Sequence, residues 1–136
     1  MMILYIGTIL VGLLVIMQLN MLRMAKKSKG TQLSGLNRQM RILEKKGSNG
    51  MVYFFSPDCY ACKAQTPIIK SLQSEYKNIY DIDISQDLET AQIFGIKATP
   101  TTVLVENGVI SKVLLGTKTK EVLESLILKL NRSIST

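Results

Sequence analysis

The chain contains no histidine. Triads built on an imidazole base, imidazole metal ligands and histidine general acids are therefore excluded. Cysteine occurs only twice, too few for a closed four-ligand zinc site or a disulfide-dense scaffold. Glycine and proline are sparse, at 9 and 3 residues, while hydrophobic residues make up 46%. That composition excludes collagen-like and largely disordered chains. The 136 residues have room for about one domain. Whatever chemistry is present must use two thiols, carboxylates, hydroxyls or amines.

Charge is missing from Met1 to Leu22. From Ile3 to Leu22 the apolar run is interrupted only by Thr8, Gln18, Asn20 and two glycines. At a rise of about 1.5 Å per residue, such a helix spans a hydrocarbon core of about 30 Å. We read residues 1–22 as a single-pass membrane anchor. A signal peptide is the competing reading, but there is no basic segment before the run and no small-x-small site closing it. A buried helix of a soluble domain is a third, and a helix apolar on every face is hard to bury in so small a domain.

Acid is nearly missing from the next stretch. Between residues 23 and 50, Glu44 alone faces Arg23, Lys26, Lys27, Lys29, Arg38, Arg41, Lys45 and Lys46. Residues 51–136 hold nine basic and nine acidic residues, so the whole excess of +7 is juxtamembrane. Nucleic-acid binders carry their charge on the folded domain, which argues against that class of partner. A basic collar either attracts anionic lipid head groups or acts as a topology signal alone. Residues 23–34 read as a basic linker and 35–136 as the folded domain. Ser34 as cap, Leu36, Met40 and Leu43 at helical spacing and Gly47 as stop predict a helix over 35–46.

Strands and helices then alternate. Met51–Phe55 is an apolar strand ended by Ser56-Pro57, and Cys59 to about Tyr76 is a helix with Pro67 inside it. Ile79–Ile84 is a strand, and Asp87–Phe94 a short helix closed by Gly95. Thr101–Glu106 and Val109–Leu115 flank Asn107-Gly108, the strongest two-residue hairpin signal. Thr119 caps a last helix with the stripe Val122, Leu123, Leu126, Ile127 and Leu130. This order predicts an α/β sheet covered on both faces.

Cys59-Tyr60-Ala61-Cys62 carries the chemistry. Two thiols at this spacing can close a small disulfide. A sulfur at a helix start faces unpaired N–H groups, which favour the thiolate. Lys63 adds positive charge, and Asp58 acts against it. The second thiol is placed to resolve a mixed disulfide. Two core cysteines, or half of an intermolecular metal site, are the other readings of the spacing.

Around this motif the chain resembles the thioredoxin family. The matching residues are Phe54-Phe55-Ser56-Pro57-Asp58-Cys59-Tyr60-Ala61-Cys62-Lys63, Pro67, and Phe94-Gly95-Ile96-Lys97-Ala98-Thr99-Pro100-Thr101, with Glu106-Asn107-Gly108 and Gly116 at family spacings. The resemblance covers about 51–136, and the helix over 35–46 would be the family's first. It implies a thioredoxin-like fold, a mixed central sheet with helices on both faces, behind one N-terminal transmembrane helix. It also implies a cis Thr99–Pro100 bond facing the dithiol, where an extended substrate segment pairs with the backbone. An ordinary proline at a strand start is the alternative. Thr99, Pro100, Tyr60 and Ala61 are the substrate-contact candidates.

Two departures stand out. Thioredoxin itself has Gly-Pro between its cysteines, where this chain has Tyr60-Ala61. The family usually buries an acid six residues before the first cysteine, with a lysine on the neighbouring strand. Here those positions are Tyr53 and Asp81. We read a possible exchange of roles: Asp81, held by the Tyr53 hydroxyl and desolvated to a near-neutral pKa, accepts the Cys62 proton. Purely structural roles for both are the alternative.

The expected function is a membrane-anchored thiol–disulfide oxidoreductase acting through Cys59 and Cys62. It needs no cofactor. Its partners are protein thiols and disulfides, a dithiol protein that donates or accepts electrons, and membrane lipids through the anchor and collar. A non-catalytic thioredoxin-fold binding module is the alternative. A copper-handling role is weaker, because Met1, Met2, Met17, Met21 and Met24 lie in or beside the anchor and no histidine completes a site. Location at the cell membrane follows from the anchor. The charge asymmetry points the domain to the cytoplasm, and the family resemblance points it outward.

Overall fold

The structure is a computed structural model and describes residues 1–31, 33–36, 40–45 and 47–133. Helix α1, Met2–Ser28, outruns the predicted anchor by six residues and takes up the first part of the predicted linker. Alanine, lysine, arginine and methionine are good helix formers, so nothing in 23–28 stops it. Gly30, at φ +86°, lies just beyond its end. Leu4–Arg23 has a mean hydropathy of 1.9, and none of it is buried against the domain. That removes the buried soluble helix from the three readings of this run.

Gly30, Thr31 and Leu33 lie antiparallel along the sheet. Gly30 donates to the Ile110 carbonyl at 2.7 Å, Ile110 donates to Thr31 at 3.0 Å, and Leu33 donates to Gly108 at 3.0 Å. The helix predicted over 35–46 is corrected: among the described residues there is only a 3-10 turn, Arg41–Glu44. Residues 37–39 and 46 lie outside the described ones. Gly35 has φ +78°, outside helical space, and the Leu36 N–H turns to the Glu44 carboxylate. The apolar periodicity still marked the right side chains, since Leu36, Met40 and Leu43 are all buried.

Four strands form one mixed sheet: β1 (Asn49–Phe55), β2 (Ile79–Asp83), β3 (Thr101–Glu106) and β4 (Val109–Leu115), in the order β2-β1-β3-β4. β1 runs parallel to β2 and antiparallel to β3, and β3 antiparallel to β4. Helices α2 (Tyr60–Glu75), α3 (Leu88–Ile93) and α4 (Lys120–Arg132) complete the domain. β1 is covered on both faces, which is why it reads as a continuous apolar run. Met51 and Tyr53 face α2 and α4 through Ile69, Leu72, Leu123 and Ile127. Val52 and Phe54 face the other way, toward Leu33, Leu36, Met40, Leu43 and Phe94.

The Asn107-Gly108 hairpin has positive φ at both residues, 55° and 77°, as a two-residue turn of this type requires. Gly108 is needed a second time: a Cβ there would stand 2.8 Å from the Glu44 carbonyl oxygen. At the other end of the sheet, Phe54 pairs with Thr101. The loop leaving β1 and the loop entering β3 therefore emerge side by side.

Candidate active site

Ser56-Pro57-Asp58 ends β1, and Cys59 N-caps α2. The Cys59 N–H donates to the Ser56 carbonyl at 3.1 Å. Cys59 and Cys62 are joined in a disulfide with Cα atoms 5.2 Å apart. The Cys62 N–H points at Cys59 Sγ from 3.2 Å, so the cap is sulfur where most helices use oxygen. A thiolate at this atom would face the positive end of a 16-residue helix. Cys59 is half-buried, and Cys62 is 2% exposed. Tyr60, between them, is 87% exposed, and Ala61 is exposed as well. A shallow groove of about 330 Å³ beside the pair has apolar walls from Phe55, Pro57 and Pro67, with Thr66 and Lys63 as polar members.

The Thr99–Pro100 bond is cis, as the resemblance implied. The Pro100 carbonyl accepts from Gly116 at 2.9 Å, and Thr101 Oγ1 donates to the Ala98 carbonyl at 2.7 Å. Pairing of Thr101 with Phe54 brings this turn to the dithiol end of the sheet. Six of the candidates, Cys59, Cys62, Tyr60, Ala61, Thr99 and Pro100, thus stand at one pole.

Tyr53 and Asp81 need a correction. The Tyr53 hydroxyl is not bonded to the Asp81 carboxylate. It pairs with Thr66 Oγ1 at 3.1 Å and donates to the Cys62 carbonyl at 3.4 Å. Burial pushes its pKa above the ordinary tyrosine value, the Thr66 bond opposes that, and the Asp81 charge adds to the rise. Asp81 accepts instead from Lys70 Nζ at 2.9 Å and Gln73 Nε2 at 2.6 Å. Burial pushes its carboxyl up, but the Gln73 and Lys70 bonds and the Lys70 charge outweigh this and hold it below the usual value. A carboxylate held ionised is a poor proton acceptor near neutrality, the reverse of the predicted tuning.

Thr66, Lys70 and Gln73 were not expected at the site, although they recur at i, i+4, i+7 on α2 and so share a face. Gln65 was also missed. It interrupts the buried stripe Cys62, Ile69, Leu72, is fully buried, and accepts the Lys118 N–H through Oε1. Its Nε2 and the buried Thr102 Oγ1 have no hydrogen-bond partner among the described residues.

Comparison with known proteins agrees with this architecture. The thioredoxin family profile matches residues 33–129. The thioredoxin of Bacillus subtilis is 32% identical over 87 residues, covering 60% of this chain and 84% of that one. The thioredoxin of Chlamydia muridarum is 35% identical over 81 residues, 58% of this chain and 79% of that one. Among solved structures, the reduced Schistosoma mansoni thioredoxin pre-protein superposes with a TM-score of 0.57 at 27% identity, over 68% of this chain and 86% of that one. The Malassezia sympodialis thioredoxin, at 21% identity, has a TM-score of 0.60 over 75% of this chain and 92% of that one, a likeness of fold. The matched region takes in the whole sheet and the Cys-X-X-Cys turn of a thiol–disulfide oxidoreductase, and the chain belongs to the thioredoxin family.

Proposed function

We propose that this chain is a membrane-anchored thiol–disulfide oxidoreductase that exchanges disulfides with protein substrates through Cys59 and Cys62. Residues 1–22 are the anchor, 23–34 the basic linker and 35–136 the catalytic domain, with Gly30, Thr31 and Leu33 of the linker bonded to the domain's sheet. In the reducing direction, the Cys59 thiolate attacks one sulfur of a substrate disulfide and releases the other as a thiolate, which takes up a proton. Cys62, having lost its proton, then attacks Cys59 Sγ. The Cys59–Cys62 disulfide forms and the second substrate sulfur leaves. A further dithiol protein restores the reduced pair. Oxidation of a client runs the same steps backwards.

The observation that carries this reading is the unequal setting of the two sulfurs. Cys59, half-buried, sits at the helix N-terminus, and Cys62 is sealed behind it. The first can be reached by a client, and the second only by the first. Thr99 and Pro100, with Tyr60 and Ala61, hold the client segment. Tyr53 positions the turn through Thr66 and the Cys62 carbonyl.

We assign the domain to the cytoplasmic side on the eight basic residues within 23–46, against the outward side that the family resemblance favours. Strong labelling of Cys59 in intact, mildly reduced cells by a membrane-impermeant thiol reagent would overturn that assignment. The function itself is tested by Cys62→Ser expressed in membranes, which should accumulate mixed disulfides through Cys59. A Cys62→Ser chain that traps no client, with a wild type that turns over no protein disulfide, would leave a binding module.

A further inference from the structure

The anchor meets the domain at the hairpin end of the sheet. Gly30, Thr31 and Leu33 are bonded to Ile110 and Gly108, and the Glu44 backbone is packed on Gly108. Gly47 donates to the Asn107 side chain at 3.0 Å. The six residues of β3 separate this end from Thr101, beside the dithiol loop. At about 3.3 Å per residue, the two poles stand about 20 Å apart.

The two poles differ in what they show to solvent. Next to the anchor, the 3-10 turn exposes Arg41 and Ile42, with Lys45 exposed directly after it. Ile42 is 51% exposed although it is one of the domain's large apolar residues. Glu44, the one acid of the stretch, turns inward to the Leu36 N–H. Arg23 and Lys29 are exposed near the end of α1. At the dithiol pole the exposed charges are of both signs, Asp58 with Lys63 and Lys97, and the exposed ring there, Tyr60, lies in the client-contact turn.

We propose that this turn is a second membrane contact: Ile42 enters the headgroup layer of the bilayer that α1 crosses, and Arg41 and Lys45 lie on anionic lipid headgroups. The proposal rests on the anchored reading above. An apolar side chain among cations is the chemistry by which interfacial segments hold anionic membranes. Slack is small, since two residues from Ser28 to Gly30 span at most about 7 Å. The domain therefore stands upright, with Cys59 directed away from the lipid. Its clients are proteins, or parts of proteins, that reach it from the aqueous phase, and cysteines inside the bilayer are out of reach.

The chain has no tryptophan, so single tryptophans report depth without labels. Ile42→Trp and Tyr60→Trp full-length chains are reconstituted in phosphatidylglycerol/phosphatidylcholine vesicles carrying headgroup-level nitroxide quenchers. Alkaline extraction is run in parallel. The expected result is a retained chain in which tryptophan 42 is quenched several-fold more than tryptophan 60. Arg41→Glu with Lys45→Glu should weaken the quenching at 42, as each cation near an anionic surface is worth about five-fold in association. Equal quenching at both sites in a retained chain overturns the upright orientation. Quenching at 42 that ignores charge reversal and persists in pure phosphatidylcholine overturns the headgroup contact. Release of the chain by alkali overturns the anchor itself.

Discussion

Tyr53 and Asp81 are directly opposed in the parallel ladder of β1 and β2, yet their polar ends serve different networks. Tyr53 turns under α2 to Thr66 and the Cys62 carbonyl, and Asp81 turns outward to Lys70 and Gln73. The two positions where the family usually keeps an acid and a lysine have not exchanged roles. One now braces the dithiol turn, and the other is an ordinary ion pair at the sheet edge.

Asp81→Asn should leave the pH–rate profile of mixed-disulfide resolution unchanged, because the carboxyl is held ionised through the working range. Stopped-flow reduction across pH checks this, and a profile displaced by a full unit would return Asp81 to the mechanism. The sign for stability follows from the lowered pKa. The carboxylate adds stability above its unfolded value of about 3.9 and loses that contribution as pH falls through its lower folded value. With side chains 26% and 58% exposed, solvent screening limits the loss in Asp81→Asn to about 0.5 kcal/mol at pH 7. The difference should vanish in acid below the folded pKa.

Tyr53→Phe should cost about 1 kcal/mol in urea unfolding, the net value of a hydrogen bond whose partners stay buried. The alkylation rate of reduced Cys59 should be unaffected, since the hydroxyl is bonded to the Cys62 carbonyl and Thr66 rather than to either sulfur. A large drop in that rate would show that Tyr53 acts on the nucleophile.

Thr102→Val should stabilise the domain. The Thr102 hydroxyl is fully buried and unpartnered, and replacing it with a methyl of similar shape removes a desolvated polar group. A gain of about 1 kcal/mol would raise Tm by roughly 4–8 °C in a domain of this size. A lower Tm on thermal melting would mean that the hydroxyl finds a partner in solution.

Gly108→Ala should destabilise by about 2 kcal/mol or more, since it adds a left-handed penalty to a contact with backbone that cannot move aside. Asn107→Gly, at the neighbouring positive-φ position, keeps the turn but loses the bond to Gly47, and its smaller cost separates the two effects in chemical denaturation.

Local signals carried most of the fold. Period-two and apolar runs placed all four strands. Asp87 and Thr119 accept the N–H groups of Thr90 and Val122 as helix caps, and Asn107-Gly108 marked the hairpin. The Cys59/Cys62 spacing left core and metal-site readings open, and the family landmarks around it favoured a redox pair. What failed depended on partners distant in the chain. The stretch 35–46 has helical periodicity, but Glu44 is spent on the Leu36 N–H and its backbone on Gly108. The partners of Asp81 came from α2, and no pattern around Asp81 itself points there. Gln65 reads as a defect in an apolar stripe until Lys118, 53 residues later, supplies its donor.

The bonds of Gly30, Thr31 and Leu33 with Gly108 and Ile110 join segments separated by about 80 residues, which a ribosome takes on the order of 4–16 seconds to synthesise. In the anchored chain proposed above, α1 is made first and its docking edge nearly last. For that interval the collar trails the nascent domain as an unfastened tether, long enough for the charge asymmetry to set the topology of the helix. Once the hairpin emerges, the tether closes on it, and orientation is thereafter held by the fold instead of by charge. Moving basic residues within 23–29 should therefore alter the topology of newly made chains, while leaving chains already folded in place.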